Sequence, residues 1–160
     1  MKNLLMLCAL FILAGVVVFH LTTIHVGMKP VPAALPNAPT GTWLTDYPAA
    51  KQQAARQNKR LLLDFSDSEA CYPCQCLNRE VWETGEFGDF AADYVLVRLE
   101  FPFRTKLPPD LAQQNYELGQ QFSVTIFPTV IELDSSGHEI MRQTGYSIGT
   151  GAVAYLAGFR

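Results

Sequence analysis

The chain has 160 residues, with 12 basic and 15 acidic side chains and a formal net charge of −3. That length is enough for one domain and little else. All 15 acidic residues lie beyond Lys29, and the basic ones form no stripe that could neutralise phosphates, which argues against nucleic-acid binding.

Residues 4–19 are continuously apolar, and no charge appears between Lys2 and Lys29. Roughly 20 apolar residues cross a bilayer core as a helix, and the run reaches that length when extended through Val26. Residues 1–27 are therefore expected to form one transmembrane anchor. Lys2 favours a cytoplasmic N-terminus. A removed signal peptide is the competing reading, although the bulky Phe19, His20 and Leu21 make a poor cleavage site after Val18. Either way the remaining chain leaves the cytosol. The expected location is the inner membrane, single-pass, with the soluble part facing the periplasm or an equivalent oxidising space. Residues 28–42 contain Pro30, Pro32, Pro36 and Pro39 and predict an extended, semi-rigid linker. Residues 43–160 form the domain.

Within the domain, Asp46 followed by Tyr47 and Pro48 predicts a helix start, with an acidic cap and proline in the first turn. Residues 49–58 are good helix formers. Residues 61–65 are an apolar run of strand length. Residues 75–83 predict a helix with Leu77 and Val81 on one face. Thr84 caps a helix over 86–93, with Phe87 and Phe90 inward. Residues 94–100 alternate as a strand. Residues 101–108 are a loop carrying Arg104 and Lys106. Pro109 and Asp110 then open a helix reaching about Phe122. Residues 130–133 and 138–143 predict an antiparallel hairpin around the turn Asp134-Ser135-Ser136-Gly137, and 151–159 a last helix. Strands alternating with helices predict an α/β sheet covered on both faces and closed by a hairpin.

The residues that carry chemistry are Cys71 and Cys74, separated by Tyr72 and Pro73 where strand gives way to helix. Two thiols at that spacing can close and reopen a disulfide with little backbone movement. The first helical turn aims unsatisfied N–H groups and the positive dipole end at Cys71, which favours its thiolate. Cys74, one turn further in, is placed to resolve a mixed disulfide. A static bridge is a poor alternative, because so short a loop contributes little chain-entropy stabilisation. A pair of metal ligands is another. With Cys76 the cysteines form a Cys-x-x-Cys-x-Cys pattern suited to Cu(I) or zinc, with His138 as a conceivable fourth ligand. The blander reading of Cys76 is a small buried hydrophobe, and Cys8 within the apolar segment reads as inert.

Residues 59–146 resemble the thioredoxin superfamily. Asp64-Phe65 at a strand end, the Cys-Tyr-Pro-Cys motif, Phe127-Pro128-Thr129 and Gly145 carry the resemblance. They are similar in particular to extracytoplasmic thioredoxin-like proteins such as the C-terminal domain of the bacterial transmembrane disulfide reductase. The resemblance implies a thioredoxin fold, a central mixed β-sheet flanked by helices, following the transmembrane helix. It implies Cys71 as nucleophile, Cys74 as resolver and Asp64 as the buried acid that relays protons, its pKa raised by desolvation. A strand-end carboxylate in water is the plainer role for Asp64. Pro128 matches a cis-proline, and with Phe127, Thr129, Tyr72 and Pro73 it would shape a groove that binds a substrate peptide as an added strand.

Two departures matter. Ala70 stands where the family usually has tryptophan, which leaves the groove more open. Asp67 and Glu69 lie where they would oppose a very acidic Cys71. The expected activity is thiol–disulfide exchange on protein disulfides and dithiols, with no cofactor and with a membrane dithiol protein as electron donor. The alternatives are a copper-handling protein using the cysteines and a binding module in which redox chemistry is incidental.

Overall fold

A computed structural model describes residues 41–159 of the chain. The expected anchor over 1–27 and nearly all of the expected linker over 28–42 lie outside the described residues. Among the described residues no helix is long and apolar enough to cross a membrane.

Within the described residues the elements expected from the sequence form, with one addition. A two-residue strand, β1 (Trp43–Leu44), precedes α1 (Tyr47–Gln57) and β2 (Arg60–Ser66). Next come α2 (Tyr72–Leu77), α3 (Gly85–Ala91), β3 (Tyr94–Glu100) and α4 (Pro109–Gln121). The hairpin β4 (Thr129–Leu133) and β5 (Glu139–Thr144) and the short α5 (Gly151–Leu156) complete the domain. Strand β1 was not expected because two residues are too few to show an alternating pattern; its pairing to Leu96 and Val97 creates it. Helix α2 begins at Tyr72, three residues before the expected start at Gln75, because Cys71 itself occupies the cap position. It runs on into a wider π-helical turn, Asn78–Trp82, of the kind often found at functional sites.

Local chemistry explains the helix starts. The Asp46 carboxylate accepts the Ala49 N–H at 2.9 Å, and the Thr84 hydroxyl accepts that of Phe87 at 3.3 Å. Each satisfies an orphan donor of a first turn.

The sheet order is β1-β3-β2-β4-β5. β1, β3 and β2 run parallel, whereas β4 is antiparallel to β2 and to β5. This is the mixed sheet that the resemblance implies. Alternation along β2 splits the core. Leu61, Leu63 and Phe65 pack with Val95, Val97, Leu99 and Ile131 under α1 and α4. Leu62 faces the other way, with Leu77, Val81, Trp82, Phe87 and Tyr155, under α2, α3 and α5. Asp64 shares that second face by its two-residue spacing from Leu62. Leu62 is fully buried in the central strand, so Leu62→Ala is expected to cost about 2–5 kcal/mol. Urea unfolding measures this, and a loss below about 1 kcal/mol would show that the site collapses around the smaller side chain.

Register decides what sits at the carboxyl end of β2. Phe65 pairs with Thr129 and Ser66 with Glu100, so the turn leading to Cys71, the end of β3 and the segment entering β4 share one edge of the sheet. The carboxyl ends of parallel strands are where open α/β sheets place their sites.

Candidate active site

Backbone chemistry shapes the approach to the cysteines. The Asp67 carboxylate accepts the N–H groups of Glu69 at 2.8 Å and Ala70 at 3.0 Å, and the Asp67 carbonyl accepts that of Cys71 at 3.3 Å. The resulting turn delivers Cys71 in extended conformation, φ −88° and ψ 100°, as the cap of α2. Cys71 and Cys74 are joined as a disulfide with their Cα atoms 5.3 Å apart. The Cys74 N–H donates to the Cys71 sulfur at 3.1 Å, the interaction that would hold a thiolate there. Cys71 is half-buried and Cys74 buried, while Tyr72 between them is 58% exposed.

Asp64 is 1% exposed, so the water-facing alternative does not hold. Its carboxylate accepts the Ser66 hydroxyl at 2.5 Å and the Trp82 indole N–H at 3.1 Å, and Arg98 Nη2 lies 3.3 Å away. Burial outweighs these favourable partners and pushes the carboxyl above its ordinary range. Asp64 and Cys74 line one cavity of about 250 Å³, together with Ser66, Asn78, Arg98 and Glu100. A cavity of that size has room for water beside both residues.

Phe127, Pro128 and Thr129 enter β4 at the same sheet edge. The Phe127–Pro128 bond is cis. Phe127 is half-buried, its ring 4.9 Å from that of Phe101. The Pro128 carbonyl accepts the Gly145 N–H at 2.7 Å. The Thr129 side chain is buried and donates to the Ile126 carbonyl at 2.7 Å, so it braces this segment from within.

Residues 42–135 match the family model described as thioredoxin-like. The chain belongs to the thioredoxin-like family. Its thioredoxin-like domain is 30% identical over 112 residues to the disulfide bond reductase DsbH of Chlamydia pneumoniae, covering 69% of this chain and 66% of that protein. It is 30% identical over 111 residues to the thioredoxin-related protein DsbJ of the same organism, covering 69% and 32%. The chain thus spans just under two thirds of one relative and about a third of the other. Among solved structures, a DsbH oxidoreductase superposes with a TM-score of 0.67 at 27% identity, covering 78% of this chain and 88% of that one. A thioredoxin from Thermus thermophilus gives 0.52 at 20% identity over 69% and 78% of the two chains, a likeness of fold alone.

Two parts of the thioredoxin-like site escaped sequence reasoning. Arg98 stacks its guanidinium 4.5 Å over Trp43 and donates to Asn78 at 3.2 Å, while Trp43 meets Trp82 edge-on at 5.4 Å. This aromatic and cationic wall encloses Asp64. The Asp64–Arg98 pairing depends on strand register, although their shared face would have been legible had that register been known. The second is the set of partners that Glu69 holds, drawn from a loop more than thirty positions away. The Glu69 carboxylate accepts the N–H of Arg104 at 2.7 Å and of Thr105 at 3.2 Å, and also the Thr105 hydroxyl. The Thr105 hydroxyl and then the Arg104 N–H hold its pKa below the ordinary value.

Cys76 is 1% exposed, as the blander reading expects, and its sulfur accepts from Arg79 at 3.4 Å. His138 lies on the β4–β5 turn, bonded to Ser136 at 2.8 Å. Among the described residues no group of three His, Cys, Asp or Glu side chains is arranged to hold a metal ion.

Proposed function

We propose that this chain is a membrane-tethered thiol–disulfide oxidoreductase working as a reductase of protein disulfides outside the cytosol. The observation that carries the reading is the Cys71–Cys74 pair at the start of α2, with Cys74 and Asp64 lining one cavity. In the reduced protein the Cys71 thiolate attacks one sulfur of a substrate disulfide. That S–S bond breaks, one substrate thiolate leaves, and a mixed disulfide forms. Cys74 loses its proton to Asp64 through the shared cavity and attacks the Cys71 sulfur. The Cys71–Cys74 bond closes as the Cys71–substrate S–S bond breaks, and the second substrate sulfur leaves as a thiolate that takes up a proton from Asp64 through water. The substrate gains two electrons and the chain loses two, which a dithiol protein of the membrane restores. No organic cofactor or resident metal takes part. Phe127, whose main chain lies outside the sheet, offers its backbone beside Pro128 to an extended substrate, with Tyr72 and Pro73 forming the opposite border.

Two points support reduction as the direction. The relative DsbH carries the name disulfide bond reductase. Tyr72 and Pro73 place no cation between the cysteines, and a thiolate with fewer stabilising charges makes a more reducing couple. Equilibration with glutathione redox buffer is therefore expected to give a potential nearer to about −270 mV than to about −120 mV. A value at the oxidising end would overturn the direction. The tether rests on the apolar segment over 4–19; retention of the full chain in membranes after alkaline wash is the expected result, and release into the supernatant contradicts it.

A further inference from the structure

Ala70 leaves the border of the redox turn without the aromatic wall expected there. Another part of the chain is fixed beside that position. The Glu69 carboxylate, two residues from Cys71, takes up two consecutive N–H groups, those of Arg104 and Thr105, as well as the Thr105 hydroxyl. The end of β3 is bound to the same turn, since the Ser68 N–H donates to Glu100 at 3.1 Å and the Phe101 N–H to the Ser66 carbonyl at 2.8 Å. The loop over 101–108 is thus held against the redox turn from both sides of Phe103. The Phe103 side chain is 78% exposed, more than any other large apolar side chain among the described residues. A rigidly placed aromatic in water is a contact surface in need of an apolar partner. The flanking Arg104 and Lys106 are exposed and are the only cations between Arg98 and Arg142, in a chain of net charge −3. Below the loop, Phe101, Pro102, Leu107 and Ala112 line a further cavity of about 400 Å³.

We infer that the loop over 101–108 is a substrate-recognition element, clamped by Glu69, in which Phe103 selects an extended peptide whose half-cystine is flanked by an apolar and an acidic residue. This rests on the oxidoreductase reading above. Attack by Cys71 requires the peptide to lie across the redox turn, and the clamp sets Phe103, Arg104 and Lys106 along its path. The apolar residue covers Phe103 and the acidic one meets Arg104 and Lys106.

The test uses the full chain in its reduced form and two disulfide-bridged peptides alike except beside the cysteine, one bearing Leu and Asp, the other Ser and Lys. Glutathione disulfide is a third substrate. Wild-type protein is expected to reduce the Leu/Asp peptide about tenfold faster than the Ser/Lys peptide, the scale of one side-chain contact. Phe103→Ser brings that ratio close to one, Phe103→Leu restores most of it, and Glu69→Gln lowers it by releasing the clamp. Phe103 is exposed, so its replacement removes no core contact. Equal wild-type rates on the two peptides, or a ratio unchanged by Phe103→Ser, overturn this inference while the oxidoreductase reading stands. Absence of any Cys71-dependent reduction, glutathione disulfide included, overturns both.

Discussion

Cys71→Ser is expected to lower disulfide reduction to the uncatalysed level, whereas Cys74→Ser leaves the first exchange intact and strands the protein on its substrate. The asymmetry follows from position. Cys71 caps α2 and is half-buried, with its sulfur held by the Cys74 N–H. A serine hydroxyl there ionises far too weakly to attack sulfur, because the thiolate is the nucleophile in this chemistry. Cys74 is buried and out of a client's reach, but it lies within bonding distance of Cys71. Without it the mixed disulfide has no internal exit. Turnover with an insulin-type disulfide substrate measures the first effect. Non-reducing gels of the Cys74→Ser protein, with release by dithiothreitol, measure the second. Substantial turnover by Cys71→Ser would remove the nucleophile assignment, and equal trapping by both variants would reverse it.

Asp64→Asn is expected to slow resolution of the mixed disulfide by about 10²-fold, the lower end of what a positioned acid–base group contributes, and to stabilise the folded protein at neutral pH. Burial raises the folded-state pKa above the ordinary aspartate value of 3.8. Below that value both folded and unfolded states carry the proton, and the group has no effect. As pH rises past it the unfolded chain ionises first, so the wild type loses stability until the folded pKa is passed. Asparagine does not titrate, and its advantage should open across that same window and then level off. Arg98 opposes the gain, since it keeps a carboxylate partner 3.3 Å away only in the wild type. Its stacking on Trp43 and its bond to Asn78 remain in the variant. Urea melts of both proteins at pH 4 and pH 8, with stopped-flow resolution of a preformed mixed disulfide, test the two halves separately. A variant less stable than wild type at pH 8 would mean that the Arg98 pair outweighs desolvation. Unchanged resolution would mean that water alone takes the Cys74 proton.

Most of the architecture was legible because local rules specified it. The Asp46 and Thr84 caps, the apolar run of β2 and the turn at Asp134 each depend on residues within a few positions of one another. The redox pair was legible for the same reason, as four consecutive residues define it. Arg98 and Trp82 were not legible as neighbours of Asp64, nor Trp43 as theirs. Arg98 and Trp82 reach Asp64 from β3 and the π-helical turn, Trp43 meets both from β1, and nothing local to any of them records that meeting. The partners of Glu69 were not legible either, because Arg104 and Thr105 lie more than thirty positions away.

By itself, the order of residues determined that this chain carries an alternating α/β domain with a dithiol at a helix start and an acid on the strand before it. Hydrophobic period and turn chemistry act over short range and survive in one dimension. Only the tertiary structure decided which face Asp64 shares, what encloses it, and which loop stands beside Cys71. Those depend on strand register and on side chains that converge from distant positions, and register emerges when both faces of the sheet are buried together.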